Sequence, residues 1–186
     1  MTTLTDIKNS LPAHAKDIKL NISMVLDEEG APGLSLPQQW GSALAAALTA
    51  GHGELIEAVE SAAGEHLSAE EITGVKTAVS MMGMTNIYYR FTHMAGGDYG
   101  QMPAKLRMNA LAQHGINKVD FELFSLSASM ITGCEMCVPS HEKVVRKEGI
   151  STEGVQSVAR IAAVMHAAAV TLRAENATTK GAAQAA

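Results

Sequence analysis

The sequence predicts an all-α protein, a helical bundle. Apolar residues make up 47% of the chain but aromatic residues only 4%, so alanine and methionine fill much of the interior. Such side chains suit helix-on-helix packing better than a β-sandwich. Apolar residues also recur every three or four positions along most of the chain, which is the helical period. We expect one domain over residues 1–175, followed by a flexible, low-complexity tail at 176–186.

The first half of the chain shows three helical patterns. Apolar residues spaced by three and four predict a first helix from Leu11 to Val25. The Pro- and Gly-rich segment DEEGAPGLSLP follows as a loop. A second helix carries Trp40 and Leu48 and stops at GHG, and a third runs from Leu55 to Gly64.

The second half shows four more helices. Ser68 and Glu71 form a capping box, S-x-x-E, which predicts the start of the fourth helix. The segment NIYYRF is the one stretch that could be a strand, but no partner run alternates with period two, so we assign it to a helix. After the loop AGGDYGQMP, a helix begins near Asp120 and ends at Gly133. The next helix begins around the cysteines and ends at Gly149, and the last helix starts after Ser151.

A faint internal repeat relates two segments at an offset of 50 residues. It aligns Gly83 with Gly133, Met84 with Cys134, Ile87 with Cys137, and Phe91 with His141. The segment MMGMTNIYYRF would then be an apolar copy of ITGCEMCVPSH. This pattern suggests two similar helical hairpins, of which only the second keeps the chemistry.

Charge and hydropathy exclude several classes of protein. The net charge is −5 and no basic stripe is present, so we expect no nucleic-acid partner. Apolar stretches are interrupted well before 18 residues, so we expect no membrane span. The N-terminus lacks the apolar core of a signal peptide, which indicates the cytoplasm. In that reducing compartment a C-x-x-C pair is more often catalytic or metal-binding than structural.

The segment CEMCVPSH contains the only two cysteines of the chain, Cys134 and Cys137, with His141 four residues later. A structural disulfide here would close a four-residue loop and contribute roughly 2 kcal/mol at most. A zinc site is an alternative, with His141 as a third ligand and Glu135 or Glu142 as a fourth. That reading corresponds to a zinc- or ligand-binding helical domain without thiol turnover.

A redox-active pair is the favoured reading. Residues three apart in a helical turn have Cβ atoms about 5–6 Å apart, close to disulfide geometry. A cysteine in a first helical turn faces free backbone N–H groups, which lower the pKa of its thiol. His141 lies one turn beyond Cys137 on the same face, where it can take up the proton of the thiol.

Glu122 is the candidate partner of His141. If Gly133 makes a tight turn between antiparallel helices, His141 lies about 12 Å along one helix and Glu122 about 16 Å along the other. The two side chains would then lie within roughly one turn of each other. Spacing alone leaves Glu122 either a solvated charge or a buried proton carrier with a raised pKa.

The chain resembles the alkyl hydroperoxidase D family of the carboxymuconolactone decarboxylase-like superfamily. Three segments match the family pattern in order over almost the whole chain: LPAHAKDIKLNIS, MGMTNIYYR, and DFELFSLSASMITGCEMC followed by His141. The last is the most specific, because Glu122, the C-x-x-C pair and His141 keep the family spacing. The resemblance implies an all-helical fold and an antioxidant thiol enzyme.

The resemblance also implies roles and partners. Cys137 would react with an organic hydroperoxide to become a sulfenic acid, and Cys134 would resolve it to a disulfide. Glu122 and His141 would form a proton relay. The family is usually a homotrimer without a tightly bound cofactor. It passes electrons from dihydrolipoyl groups of an acyltransferase, kept reduced by dihydrolipoamide dehydrogenase, to the peroxiredoxin alkyl hydroperoxide reductase C.

One residue departs from the family pattern. Family members often have a histidine immediately before the second cysteine, where this chain has Met136. Methionine cannot share the proton of a thiol, and the neighbouring Glu135 opposes thiolate formation. We expect this departure to weaken direct peroxide reduction more than disulfide exchange.

Overall fold

The fold is a bundle of α-helices. The computed structural model describes the backbone of residues 2–184 and the side chains of residues 2–178, and no strand occurs in this part of the chain. Its helices are α1 (Leu4–Ser10), α2 (Lys16–Val25), α3 (Leu36–Ala50), α4 (Gly53–Ala63), α5 (Ala69–Ala95), α6 (Lys118–Thr132), α7 (Cys137–Lys147) and α8 (Thr152–Gln184). Short 3₁₀ turns lie at Ala13–Ala15, Gly97–Gln101 and Asn109–Leu111. The predicted all-α class is confirmed.

Helix α3 is the centre of the bundle and contacts α4, α5, α6 and α8. Its small side chains allow these close neighbours: Ala43, Ala45, Ala46 and Ala47 are fully buried. The tightest approach is at Gly41, where an added Cβ would lie 2.2 Å from Cε1 of Phe124 on α6. Because α6 carries the chain directly into the cysteine segment, this contact fixes the helix that supports the site.

The start of the chain differs from the prediction. The sequence predicted one helix from Leu11 to Val25, but α1 ends at Ser10 and α2 begins only at Lys16. Pro12 explains the break, because the residue before a proline is driven out of the helical region, and Leu11 is extended with ψ 129°. Helix α1 was missed, although Thr3 and Asp6 form its capping box.

The predicted pair of repeated hairpins is wrong. Helix α5 is a single helix of 27 residues and runs without interruption through Gly83. Gly133, the residue that aligns with Gly83 at the offset of 50, has φ 65° and ends α6. The aligned residues therefore lie within one helix in the first segment and in a helix–turn–helix in the second. The prediction that NIYYRF is helical is confirmed.

Helix α8 closes the bundle against α2, α3 and α6. It continues to Gln184, past the domain boundary that we predicted at residue 175. Its helical backbone does not test the predicted flexibility of the tail, and residues 185 and 186 lie outside the described residues. By length and composition Thr152–Thr178 could cross a membrane, but half of its most apolar window is buried in the bundle. A core helix meets the same test, so this feature is weak support for a span.

Candidate active site

The turn between α6 and α7 positions the first cysteine. Gly133 adopts the left-handed conformation with φ 65°, which glycine reaches without steric cost. The N–H of Gly133 donates to the carbonyl of Met130 at 3.3 Å, and the N–H of Cys134 donates to the carbonyl of Ser129 at 3.2 Å. This pair of bonds is a Schellman motif, which caps α6 and fixes the backbone of Cys134.

Cys134 and Cys137 form a disulfide with a Cα–Cα distance of 5.2 Å. The disulfide expected from the C-x-x-C spacing is therefore present. The sequence placed both cysteines in the first turn of a helix, whereas α7 begins at Cys137 and Cys134 precedes it. The pair thus joins the capped end of one helix to the start of the next.

The N-terminus of α7 directs a backbone N–H at the sulfur of Cys134, whereas the sequence analysis expected such groups to face Cys137. The N–H of Cys137 points to Sγ of Cys134 at 3.2 Å. A backbone N–H directed at a sulfur stabilises its thiolate. We predicted this benefit for Cys137, whereas the structure directs this N–H at the sulfur of Cys134.

His141 and Glu122 meet as the hairpin geometry predicted. Nδ1 of His141 lies 2.7 Å from Oε2 of Glu122. The side chains of His141 and Glu122 are 16% and 22% exposed. Glu122 is therefore not a solvated charge on the outer face of its helix. With Nδ1 donating to the carboxylate, Nε2 of His141 has the free lone pair and is the basic nitrogen.

A cavity of about 290 Å³ lies beside this pair. Its apolar lining comes from Met82, Tyr89, Leu111, Phe121 and Met136, and its polar lining from Thr85, Asn86, Glu122, Cys137, Ser140 and His141. Cys137 is 7% exposed and lines the cavity, whereas Cys134 is 1% exposed and does not. A small molecule that enters the cavity therefore meets Cys137 first.

The sequence analysis did not identify the contribution of α5 to this cavity. Met82, Thr85, Asn86 and Tyr89 lie on one side of α5 and are more than 40 residues from the cysteines. Their segment was interpreted as an inactive copy of the cysteine segment. The spacing of these four residues, three, one and three, marks one helical face, but nothing in that pattern indicates which helix the face meets.

Asp120 lies at the start of α6, two residues before Glu122. Burial raises the pKa of its carboxyl above the usual value of 3.8, and nearby Glu71 raises it further. Nε2 of Gln38 donates to its Oδ1 at 2.8 Å, which acts in the opposite direction. Asp120 points to α3 and takes no part in the cavity lining.

The zinc alternative gains no support from the geometry. Within the part of the chain that the structure describes, no three His, Cys, Asp or Glu side chains are grouped so that they could hold a metal ion. Both candidate thiol ligands are joined in the disulfide, and His141 is paired with Glu122.

A helical hairpin that carries a C-x-x-C disulfide beside a partly buried His–Glu pair defines a class of helical thiol–disulfide proteins. The sequence model of the carboxymuconolactone decarboxylase family matches residues 97–180. Relatives named alkyl hydroperoxide reductase AhpD are similar over almost the whole chain. The protein from Gluconacetobacter diazotrophicus is 45% identical, and the alignment covers 91% of this chain and 92% of the relative.

Two further relatives named alkyl hydroperoxide reductase AhpD show similar identity and coverage. The protein from Rhodospirillum centenum is 46% identical over 91% of this chain and 90% of its own length. The protein from Maricaulis maris is 45% identical over 91% of this chain and 97% of its own length. The chain belongs to the alkyl hydroperoxide reductase AhpD family.

Proposed function

We propose that this protein is an alkyl hydroperoxide reductase that works through the Cys134–Cys137 pair. One observation carries the proposal: Cys137 and the His141–Glu122 pair line the same largely apolar cavity. An apolar cavity suits the alkyl group of an organic hydroperoxide, and the thiol and the His–Glu pair supply the polar groups that the reaction needs. The names of the relatives support the same reaction.

The reaction begins at Cys137. Nε2 of His141 takes the thiol proton, and the thiolate attacks one oxygen of the peroxide bond. The S–O bond forms, the O–O bond breaks, and the alcohol leaves with the proton returned by His141. Cys137 is then a sulfenic acid. Glu122 holds the ring and stabilises its charged form.

Cys134 completes the oxidative half of the reaction cycle. Its sulfur attacks the sulfenic sulfur of Cys137, the S–S bond forms, the S–O bond breaks and water leaves. In the reductive half an incoming thiolate attacks Cys137, because this sulfur lines the cavity. Cys134 then leaves as a thiolate, and the N–H of Cys137 stabilises it.

The family resemblance supports a proposal for the electron donors and the assembly. We propose that dihydrolipoyl groups of an acyltransferase, kept reduced by dihydrolipoamide dehydrogenase, supply the electrons in the cytoplasm. The peroxiredoxin alkyl hydroperoxide reductase C is the proposed partner, reduced by disulfide exchange with this pair. A homotrimer is the proposed assembly.

The test begins with the reduced protein and its metal content. Addition of a few equivalents of cumene hydroperoxide is expected to remove both thiols and to give a two-hydrogen loss on the peptide that contains Cys134 and Cys137. Stoichiometric zinc in protein purified under reducing conditions, with thiols that survive the peroxide, would instead support the zinc-binding alternative.

The relay is tested by Glu122→Gln and His141→Phe. General acid–base assistance is typically worth about 10²–10⁴-fold, so each variant is expected to slow thiol oxidation on that scale with its helical circular dichroism intact. Glu142→Gln is the matched control, because Glu142 is a carboxylate of the same hairpin that pairs with Arg146 outside the cavity. Wild-type rates in both relay variants would remove the pair from the mechanism.

A further inference from the structure

Asn86 links α5 to the end of α6. Its side chain is fully buried. Nδ2 donates to Oγ1 of Thr132 at 2.8 Å and to Oγ of Ser129 at 3.1 Å. A buried amide that satisfies two hydroxyls of a neighbouring helix fixes that helix in position, because separating them would leave polar groups unpaired.

Arg90 adds a second link, one turn along α5. Its Nη1 donates to the carbonyl of Thr132 at 2.6 Å. That carbonyl is in the last turn of α6, where carbonyl groups have no partner within the helix. Residues four apart share one face of a helix, so Asn86 and Arg90 act together on the same turn. We call these two residues the α5 clamp.

The α5 clamp leads directly to Cys134. The backbone N–H of Cys134 donates to the carbonyl of Ser129, whose hydroxyl is bonded to Asn86. Thr132, which both clamp residues hold, lies two residues before Cys134. The position of Cys134 relative to Cys137 is therefore set by α5 as well as by the turn itself.

We propose that Asn86 and Arg90 are positioning residues that keep Cys134 within reach of Cys137 when the pair is reduced. In the oxidised protein the S–S bond itself holds the turn. In the dithiol the capped end of α6, the backbone bonds from Cys137 and Val138 to the carbonyl of Cys134, and the α5 clamp hold it. The clamp therefore reduces the freedom that the pair gains on reduction. The inference rests on the proposed function in one respect: the pair must cycle between dithiol and disulfide.

Loosening the clamp has two consequences. The relaxed dithiol becomes more favourable, so the disulfide is reduced more readily. Resolution of the sulfenic acid also slows, because the effective concentration of the Cys134 thiol falls. A second peroxide molecule can then oxidise the Cys137 sulfenic acid to sulfinic acid, releasing one alcohol.

The first experiment measures the equilibrium of the pair with dithiothreitol, without peroxide. Asn86→Ala is expected to shift the equilibrium constant toward the dithiol by roughly 5- to 10-fold, the scale of one net hydrogen bond. Gln39→Ala is the matched control. Gln39 is also a buried amide with two bonds, from Nε2 to the carbonyls of Val25 and Asp27, far from the cysteines in sequence. An equal shift in both variants, or none in Asn86→Ala, would overturn the proposal.

Arg90 keeps the test usable if Asn86→Ala does not fold. Arg90→Met is expected to shift the equilibrium in the same direction, and Arg90→Lys, which keeps a cationic donor, to shift it less. Equal constants for wild type and Arg90→Met would contradict the clamp. In peroxide titrations the clamp variants are expected to accumulate sulfinic acid at Cys137 several-fold faster than Gln39→Ala.

The dithiothreitol equilibrium separates the two proposals. A wild-type pair that dithiothreitol reduces and re-forms, but that does not react with peroxide, would contradict the proposed function and leave the clamp testable. A peroxide-reactive wild type whose clamp variants keep the wild-type equilibrium would contradict the clamp alone.

Discussion

Met136, at which the sequence analysis expects a departure from the family pattern, lies at the site. It precedes Cys137 directly, lines the cavity and is 45% exposed. An imidazole at this position can share the thiol proton or, when charged, stabilise the thiolate. We therefore predict that Met136→His lowers the pKa of the Cys137 thiol and speeds its reaction with peroxide at neutral pH.

The measurement is the pH dependence of iodoacetamide alkylation at Cys137 in the reduced protein, followed by mass spectrometry. The gain in rate is expected to be largest below the wild-type thiol pKa and to vanish at high pH, where both proteins are ionised. Met136→Leu controls for the loss of the thioether. A midpoint in Met136→His that is unchanged or higher would show that position 136 has no electrostatic effect on the sulfur.

Asp120 gives a pH-dependent prediction at the same scale. Its pKa is raised in the folded protein, first by burial, so the folded state binds its proton more tightly than the unfolded state. Its carboxylate therefore lowers the free energy of unfolding at neutral pH, and this penalty disappears as the pH falls through the folded pKa. Asp120→Asn, which still accepts from Gln38, is expected to be more stable than wild type at pH 7.

Urea unfolding across the acid range tests this sign. The advantage of Asp120→Asn over wild type is expected to shrink as the pH falls toward the ordinary value of 3.8. Asp6 is the control, because hydrogen bonds from Thr3 lower its pKa, and Asp6→Asn is expected to show the opposite trend. An advantage for Asp120→Asn that grows on acidification would contradict the prediction.

At the scale of the element, helix ends were easier to predict than helix contacts. The capping box of Ser68 and Glu71 and the glycine stop at Gly133 are local signals, and both are present in the structure. Local chemistry determines them, because the bonds lie within a few residues. Helix α1 was missed because it is only seven residues long and buries only Ile7, so its apolar pattern is short.

The crossing of α3 and α6 depends on a glycine. An added Cβ at Gly41 would lie 2.2 Å and 2.3 Å from two ring carbons of Phe124, so one of the two helices must shift. Overpacking of this kind typically costs about 1–3 kcal/mol, and we predict that loss in free energy of unfolding for Gly41→Ala.

Gly83→Ala is the matched control for Gly41→Ala. Gly83 is also inside a helix, but an added Cβ meets nothing within 4 Å. Alanine in an open helix interior is more favourable than glycine by roughly 0.5–1 kcal/mol, so this variant is expected to be more stable than wild type. Denaturant unfolding distinguishes the expected loss of stability in Gly41→Ala from the expected gain in Gly83→Ala. An unchanged free energy of unfolding in Gly41→Ala would mean that the α3–α6 contact accommodates the added methyl group without cost.

At the scale of the whole molecule, the candidate site was predictable to the extent that it is local. Cys134, Cys137, His141 and Glu122 lie within 20 residues of sequence, and one assumed hairpin brought them together. The wall formed by Met82, Asn86 and Tyr89 required the packing of α5 on α6, which depends on the complementarity of two helix faces. No periodicity in a single sequence specifies that pairing.

Reduction of the pair is expected to leave the bundle folded, with a smaller free energy of unfolding. The disulfide joins residues only three apart, and the chain-entropy formula then gives roughly 2 kcal/mol at most. Urea unfolding of the oxidised and the fully reduced protein is expected to differ by no more than this amount. A reduced protein that loses its helical circular dichroism would show instead that the bond is structural.

Under the proposed function, the unequal burial of the two sulfurs allows a disulfide partner to be captured by a single substitution. Cys137 lines the cavity and is the sulfur that we propose to attack the partner's disulfide, while Cys134 is more buried and is the one other cysteine of the chain. In Cys134→Ser no internal thiol can release the mixed disulfide. The variant is therefore expected to keep its disulfide partner as a stable mixed disulfide at Cys137, because the exchange step that would release the partner is blocked.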